Sequence, residues 1–327
     1  MKAWLLDEFS GIGRLRIANV PEPAAGAGEV ILQLHYAGLN PADRYLAEGQ
    51  YPARPPLPHI LGRDGIGTVT QLGADVSTLR VGETRVLLRG DVGVKRAGTF
   101  AERVAVPVDN LVEIPVGWSE TEAAGATLVY LTAYQALTMW GPLPANAVVL
   151  VTGASGGVGV AVVQLGVALG LTVVGLSRSA AKSDRLRKLG ATATFNPDDT
   201  HWRQQLKAAL DPRRVDLAVD NIGGKLLSEV IDTLGDQGKV SLVGRLAGPV
   251  PSFNTAALFF RRIRMGGVAV GAWTATESRA HWNEVLEALS RTGARPLVDN
   301  TFPFERLPQA FERLAQGPMG KVLLQIR

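Results

Sequence analysis

One stretch constrains this chain more than any other: Ala147-Val148-Val149-Leu150-Val151-Thr152, followed at once by Gly153-Ala154-Ser155-Gly156-Gly157-Val158-Gly159. An uninterrupted apolar run of this kind suits a strand buried on both faces of a parallel sheet. The small residues after it predict a tight turn, and Val160 to Leu169 reads as an apolar helix. Ala154, Gly156 and Gly159 fill the three positions of the dinucleotide fingerprint, with Ala in place of the first glycine. Gly156 would let the backbone approach a pyrophosphate, and Gly159 would let helix and strand pack closely. The helix N-terminus, Ser155 to Val158, would offer free N–H groups and a partial positive charge to the phosphates. A glycine motif by itself is weak, and what makes this one specific is strand, loop, helix and next strand at the right spacing.

The neighbouring pattern extends that unit. Leu171–Leu176, Val215–Asp220 and Gly238–Gly244 read as further strands, with a basic helix over Ala180–Leu189. This alternation predicts an α/β fold with a doubly wound parallel sheet. Residues 1 to about 120 look different: Val30–Leu34, Gly67–Leu72 and Thr84–Leu88 are strand-like, with spacers rich in Pro and Gly. Short strands with such turns suggest an irregular barrel or sandwich. Ser119 to Trp140 reads as one helix capped by Ser119-Glu120-Thr121-Glu122. The last strand, Gly320–Ile326, is expected to return to the first domain.

Composition excludes several classes. With no cysteine there is no disulfide, thiolate metal site or cysteine nucleophile. The net charge of +4 is small, and no Lys/Arg stripe marks a nucleic-acid binder. Met1-Lys2-Ala3-Trp4-Leu5-Leu6 meets Asp7 too soon for a signal peptide, and no apolar run reaches membrane-spanning length. A soluble, cytoplasmic protein is expected.

The end of the second parallel strand bears on the cofactor. Sites that prefer NAD place an acid there for the ribose hydroxyls. This chain has Leu176-Ser177-Arg178-Ser179 and no acid before Asp184. Ser177, Arg178 and Lys182 are instead suited to the extra phosphate of NADP(H). Arg185, Arg187 and Lys188 read as a solvated helix face.

Further motifs carry a resemblance. They are Ala37-Gly38-Leu39-Asn40-Pro41-Ala42-Asp43, Pro58-His59-Ile60-Leu61-Gly62-Arg63-Asp64-Gly65, Gly98-Thr99-Phe100-Ala101-Glu102, Leu131-Thr132-Ala133-Tyr134, Asp220-Asn221-Ile222-Gly223-Gly224 and Gly320-Lys321-Val322-Leu323-Leu324. With the phosphate loop they resemble the medium-chain dehydrogenase/reductase superfamily. Within it they look most like the quinone oxidoreductase and 2-enoyl thioester reductase branches. The resemblance implies a GroES-like catalytic domain from residues 1–120 completed by 268–327, a Rossmann domain from 121–267, and an active site in the cleft. It places Thr132 and Asn221 near nicotinamide, with Val243 and Gly244 closing a strand end beneath it.

Zinc-dependent relatives hold their metal at positions that appear here as Asn40, Arg63 and Leu128, and none of these is an ordinary zinc ligand. The resemblance therefore implies metal-free hydride transfer to a conjugated carbonyl, in a quinone or an α,β-unsaturated aldehyde or ketone. An enoyl thioester is the alternative, for which Arg261, Arg262 and Arg264 would form a basic rim. A protein that binds NADPH with little turnover, as a sensor or structural protein, is the alternative of another class. Leu46-Ala47-Glu48-Gly49-Gln50-Tyr51-Pro52 resembles the segment carrying the enoyl reductases' catalytic Tyr. Tyr51 is thus either a donor to the substrate carbonyl or an aromatic that only lines the pocket, and Asn40 assists by hydrogen bonding. Asp43 and Asp64 are expected to tie loops beneath the site. Pro197 stands where some quinone reductases have a Tyr beside the phosphate. Arg264–Val270 resembles the edge strand through which relatives form homodimers.

Overall fold

All four residues of the strand Val148–Val151 are fully buried, as their unbroken apolar run requires. The computed structural model describes residues 1–88, 90–248 and 254–327. In it this strand lies inside a six-stranded sheet of the order Ala193–Phe195, Thr172–Leu176, Val148–Val151, Val215–Asp220, Leu234–Leu242, Arg264–Gly267. Every pairing is parallel. Numbered along the sequence, these strands run 3-2-1-4-5-6, the order of the dinucleotide-binding fold. The order reverses between Val148–Val151 and Val215–Asp220, and ligands of such sheets bind at the carboxyl ends of the strands there.

The chain divides into two units, and this sheet belongs to the second: Val129–Val270 with Asn283–Ala294. Val148, Leu150, Val174, Trp202, Leu206, Leu227 and Ile231 are among its core residues. The helix Gly157–Ala168 is buried continuously from Gly159 to Gly166, because a helix that is apolar all round has no face to give to water. Its one buried polar side chain, Gln164, accepts a hydrogen bond from the Tyr130 hydroxyl.

The first unit comprises Met1–Leu128, Gly271–Trp282 and Arg295–Arg327. Its centre is the ten-residue strand Glu29–Gly38, which pairs antiparallel with Asp64–Leu72, Arg103–Pro107 and Lys321–Gln325. Val298–Pro303, Thr84–Leu87 and Leu111–Val112 complete the sheet. The strand Lys321–Gln325 thus lies beside one from the start of the chain, with Leu323 opposite Gly38. That pairing delivers Lys321 to the turn that follows Gly38. Leu6, Leu39, Leu46, Leu61, Phe100 and Phe311 are fully buried around it.

The helix expected over Ser119–Trp140 is two helices, Glu120–Ala124 and Thr127–Thr138. Ser119 caps the first: its hydroxyl accepts the Glu122 N–H at 3.2 Å, and the Glu122 carboxylate accepts the Ser119 N–H at 2.7 Å. Gly125, a poor helix former, ends it. The basic-rim arginines have local duties. Arg261 donates to the carbonyls of Leu234 and Ile231, Arg262 pairs with Asp236, and Arg264 lies over the Trp140 ring. Residues 249–253 lie outside those described, and Ala256–Phe260 is a short helix.

Candidate active site

In the second unit the site is built at the reversal point of the sheet. Gly156 is the N-cap of the helix Gly157–Ala168 and makes no side-chain cap bond. The N–H groups of Gly157, Val158 and Gly159 therefore have no acceptor within the helix. A Cβ at Gly159 would lie 2.3 Å from the Gly153 carbonyl oxygen, so only glycine fits. A Cβ at Gly156 would meet nothing nearer than that same oxygen, at 3.5 Å. The fold itself does not demand glycine at 156; it leaves open space over the exposed end of a helix dipole, which suits a pyrophosphate. Ala154 is buried, while Ser155, Gly157 and Val158 are partly exposed.

The other side of the reversal point is organised by Asp220, a fully buried carboxylate. Thr152 Oγ1 donates to its Oδ1 at 2.7 Å, and the Gly223 N–H donates to its Oδ2 at 2.9 Å. Burial pushes the Asp220 pKa up, while the bonds from Thr152, Ile222 and Gly223 pull the other way. Thr152 Oγ1 also accepts the Asn221 N–H at 2.9 Å, and Asn221 Nδ2 donates to the Thr152 carbonyl at 2.8 Å. The N–H groups of Val243 and Gly244 donate to the Asp220 carbonyl, at 2.8 and 3.2 Å. Three strand ends are thereby tied together, which brings Asn221, Val243 and Gly244 into one cluster. Asn221 Oδ1 is buried and bonds to none of the described residues, so an acceptor is left for a ligand's donor. Thr132 lies in the helix Thr127–Thr138, which the Tyr130–Gln164 bond joins to the helix after the phosphate loop.

At the end of Thr172–Leu176, Ser177 is buried and Arg178 exposed. Lys182 is in the first turn of the helix Ala180–Lys188, where its N–H donates to the capping Ser179 Oγ. The nearest acid in sequence, Asp184, pairs with Arg187.

The first unit holds a buried ionic cluster made from distant parts of the chain. Asn40 is the N-cap of the helix Pro41–Ala47, and its N–H donates to Asp43 Oδ2 at 2.8 Å. Lys321 Nζ donates to Asn40 Oδ1 at 2.7 Å, to Asp64 Oδ2 at 2.9 Å and to the Leu39 carbonyl at 2.9 Å. All three ammonium protons are used. Asn40 Nδ2 donates to Asp64 Oδ2 at 3.0 Å. Arg63, whose side chain is 12% exposed, lies with Nε 3.6 Å from Asp43 Oδ1. Its Nη1 donates to the Tyr51 hydroxyl at 3.0 Å, and its guanidinium carbon sits 4.4 Å from the Tyr51 ring centroid. Burial pushes the Asp43 pKa from an ordinary 3.8 up to about 6, against the pull of Arg63, the Asn40 N–H and Lys321, with Asp64 adding to the rise.

Two family descriptions match: "Alcohol dehydrogenase GroES-like domain" over residues 26–116 and "Zinc-binding dehydrogenase" over residues 157–291. A synaptic vesicle membrane protein VAT-1 homolog of Rattus norvegicus is 30% identical, the match covering 99% of this chain and 84% of that protein. The chain belongs to the medium-chain dehydrogenase/reductase superfamily. Within the superfamily its branch is quinone oxidoreductase-like. The quinone oxidoreductase of Rattus norvegicus is 29% identical, over 99% of this chain and 97% of that one. Two solved members superpose over the full length of both chains: an NAD-dependent alcohol dehydrogenase at TM-score 0.92 and 27% identity, and a mycobacterial protein complexed with NADPH at 0.90 and 25%.

For a member of this superfamily, the residues that sequence reasoning missed are Arg63 and Lys321. Arg63 stood out only as a position unsuited to zinc, and Lys321 only as part of a terminal motif. The signal for Lys321 was an ammonium beside an apolar strand, which requires a buried acid elsewhere.

Proposed function

We propose that this chain is an NADPH-dependent oxidoreductase that reduces a conjugated carbonyl, in a quinone or an α,β-unsaturated aldehyde or ketone, without a metal. The observation that carries the reading is the phosphate loop at the reversal point of the parallel sheet, with its open space at Gly156. Ala154, Ser155, Gly156, Gly157, Val158 and Gly159 hold the pyrophosphate. Ser177, Arg178 and Lys182 hold the 2′-phosphate, and no acid at that strand end repels it. Thr132, Asn221, Val243 and Gly244 border the nicotinamide, where the unused Asn221 Oδ1 accepts a carboxamide N–H. Cofactor binding falls to residues 121–267 and chemistry to residues 1–120 with 268–327.

Bound NADPH supplies the hydride. As a C–H bond forms on the acceptor, the π electron pair would move onto the carbonyl oxygen, which would take a proton from solvent. Tyr51 donates a hydrogen bond to that oxygen. Asn40, its amide held by Lys321 and Asp64, assists from the same cluster. Metal-free chemistry is supported by Asn40, Arg63 and Leu128 at the ligand positions and by the absence of cysteine.

The deciding experiment follows NADPH oxidation at 340 nm with quinones, enals, enones and enoyl thioesters. Acceleration by quinones or enones is expected. Preference for enoyl thioesters would move the reading to that branch, and no acceleration by any of them would leave a binding protein. We also assign a homodimer: Arg264–Gly267 is an edge strand, and Phe259 and Phe260 just before it are exposed. A monomer by light scattering at micromolar concentration would overturn that assignment.

A further inference from the structure

We propose that Arg63 is the positioning residue that makes Tyr51 a directed hydrogen-bond donor. This rests on the reading of the chain as a reductase of conjugated carbonyls. Two contacts fix the tyrosine: the guanidinium lies over its ring at 4.4 Å, and Nη1 donates to its hydroxyl oxygen at 3.0 Å. A tyrosine hydroxyl has one hydrogen to give. With a cation already donating to the oxygen, that hydrogen is turned away from Arg63, toward another acceptor. A hydroxyl that accepts from a cation is also the stronger donor, because charge-assisted bonds polarise their partners. The pair is therefore set up to meet an oxygen that gains negative charge.

The charges around Arg63 agree with this. Asp64, the next residue in sequence, is taken by Lys321 and Asn40. The acid left for Arg63 is Asp43, at 3.6 Å, an ion pair too long for a hydrogen bond. Arg63 Nε and Nη2 are buried and bond to none of the described residues. An arginine whose only task was to neutralise Asp43 would place its fork on that carboxylate in a bidentate pair. Here the well-formed hydrogen bond goes to Tyr51 instead. A positive charge held behind the hydroxyl stabilises the developing oxyanion through the Tyr51 O–H, which is the service a metal ion gives in other carbonyl reductions.

The test compares the parent with Arg63→Met, Arg63→Lys, Tyr51→Phe and the double variant Arg63→Met/Tyr51→Phe. With the best acceptor from the screen, Arg63→Met should lower kcat about 100-fold, within the range seen on losing an oxyanion donor. NADPH affinity, read from nicotinamide fluorescence, should stay within about 2-fold. Arg63→Lys should recover only part of kcat, since an ammonium cannot stack and fork as a guanidinium does. The double variant should be no slower than Tyr51→Phe alone. Independently of turnover, the near-ultraviolet contribution of Tyr51, obtained by subtracting the Tyr51→Phe spectrum, should differ between the parent and Arg63→Met backgrounds. If Tyr51→Phe is slow while Arg63→Met keeps the parent kcat within about 3-fold, Arg63 has no such role. Losses that multiply in the double variant would show Arg63 acting apart from Tyr51, and would equally overturn the proposal. A parent that turns over no acceptor removes the functional reading; if its Tyr51 spectrum is also the same in the parent and Arg63→Met backgrounds, this proposal falls as well. Changed spectra beside an inactive parent would show which of the two readings had failed.

Discussion

Asp43 offers a stability test with a definite sign. Its carboxyl is fully buried, and burial raises its pKa from 3.8 to about 6. Between those values the folded chain keeps a proton that the unfolded chain has released. The stability this contributes is complete below about pH 4 and is lost as pH rises through 6. The gap of roughly two pH units, at 1.36 kcal/mol each, corresponds to about 3 kcal/mol. In Asp43→Asn the side chain no longer titrates, while its amide oxygen still caps the Asn40 N–H. The difference in stability between the variant and the parent should therefore shift by about 3 kcal/mol in the variant's favour from pH 4 to pH 7. For the 327-residue chain, at roughly 2 cal/mol/K per residue, that is a relative shift in Tm of ~4 °C, or roughly twice as much where the first unit melts by itself. The assay is thermal unfolding of both proteins at half-unit pH steps. Exposed carboxylates titrate in both and cancel in the difference. A Tm difference constant to about 1 °C across this window would refute the reasoning, and so would a shift of opposite sign.

Three other substitutions probe separate parts of the structure. Gly159→Ala forces a Cβ to within 2.3 Å of a carbonyl oxygen; about 1–3 kcal/mol of stability and at least ~10-fold in NADPH affinity should be lost, read by thermal shift and fluorescence titration. Arg178→Ala should weaken NADPH binding much more than NADH binding, and equal losses by calorimetry would sink the phosphate assignment. Lys321→Met strips Asp64 of its buried counterion; denaturant unfolding should show a loss of about 3–5 kcal/mol.

The parts of this molecule legible in the sequence are those whose physics is local. The strand Val148–Val151 and the glycines after it announce themselves because burial on two faces and a tight turn each dictate residue type within a few positions. Ser119 and Glu122 likewise reveal a helix start three residues apart. The continuation was misread because Gly125 ends one helix two residues before another begins, and the apolar pattern does not register so short a break. The ionic cluster was opaque for another reason. Lys321 meets Asp64 across 257 positions, and Arg63 meets Tyr51 between two loop segments that have no period. Sequence gives the residue types there, but only the pairing of Lys321–Gln325 with Glu29–Gly38 gives their partners.

That pairing also times the protein's maturation. Asn40 and Asp64 leave a ribosome well before the ammonium that satisfies them, which lies 281 and 257 residues further along the chain. At 5–20 residues per second they wait for it about 10–50 s. The whole parallel sheet, ending at Gly267, has been made before Lys321 arrives. The nascent chain can thus shape its parallel sheet first, but the buried ionic cluster of the first unit is locked only when the strand Lys321–Gln325 docks.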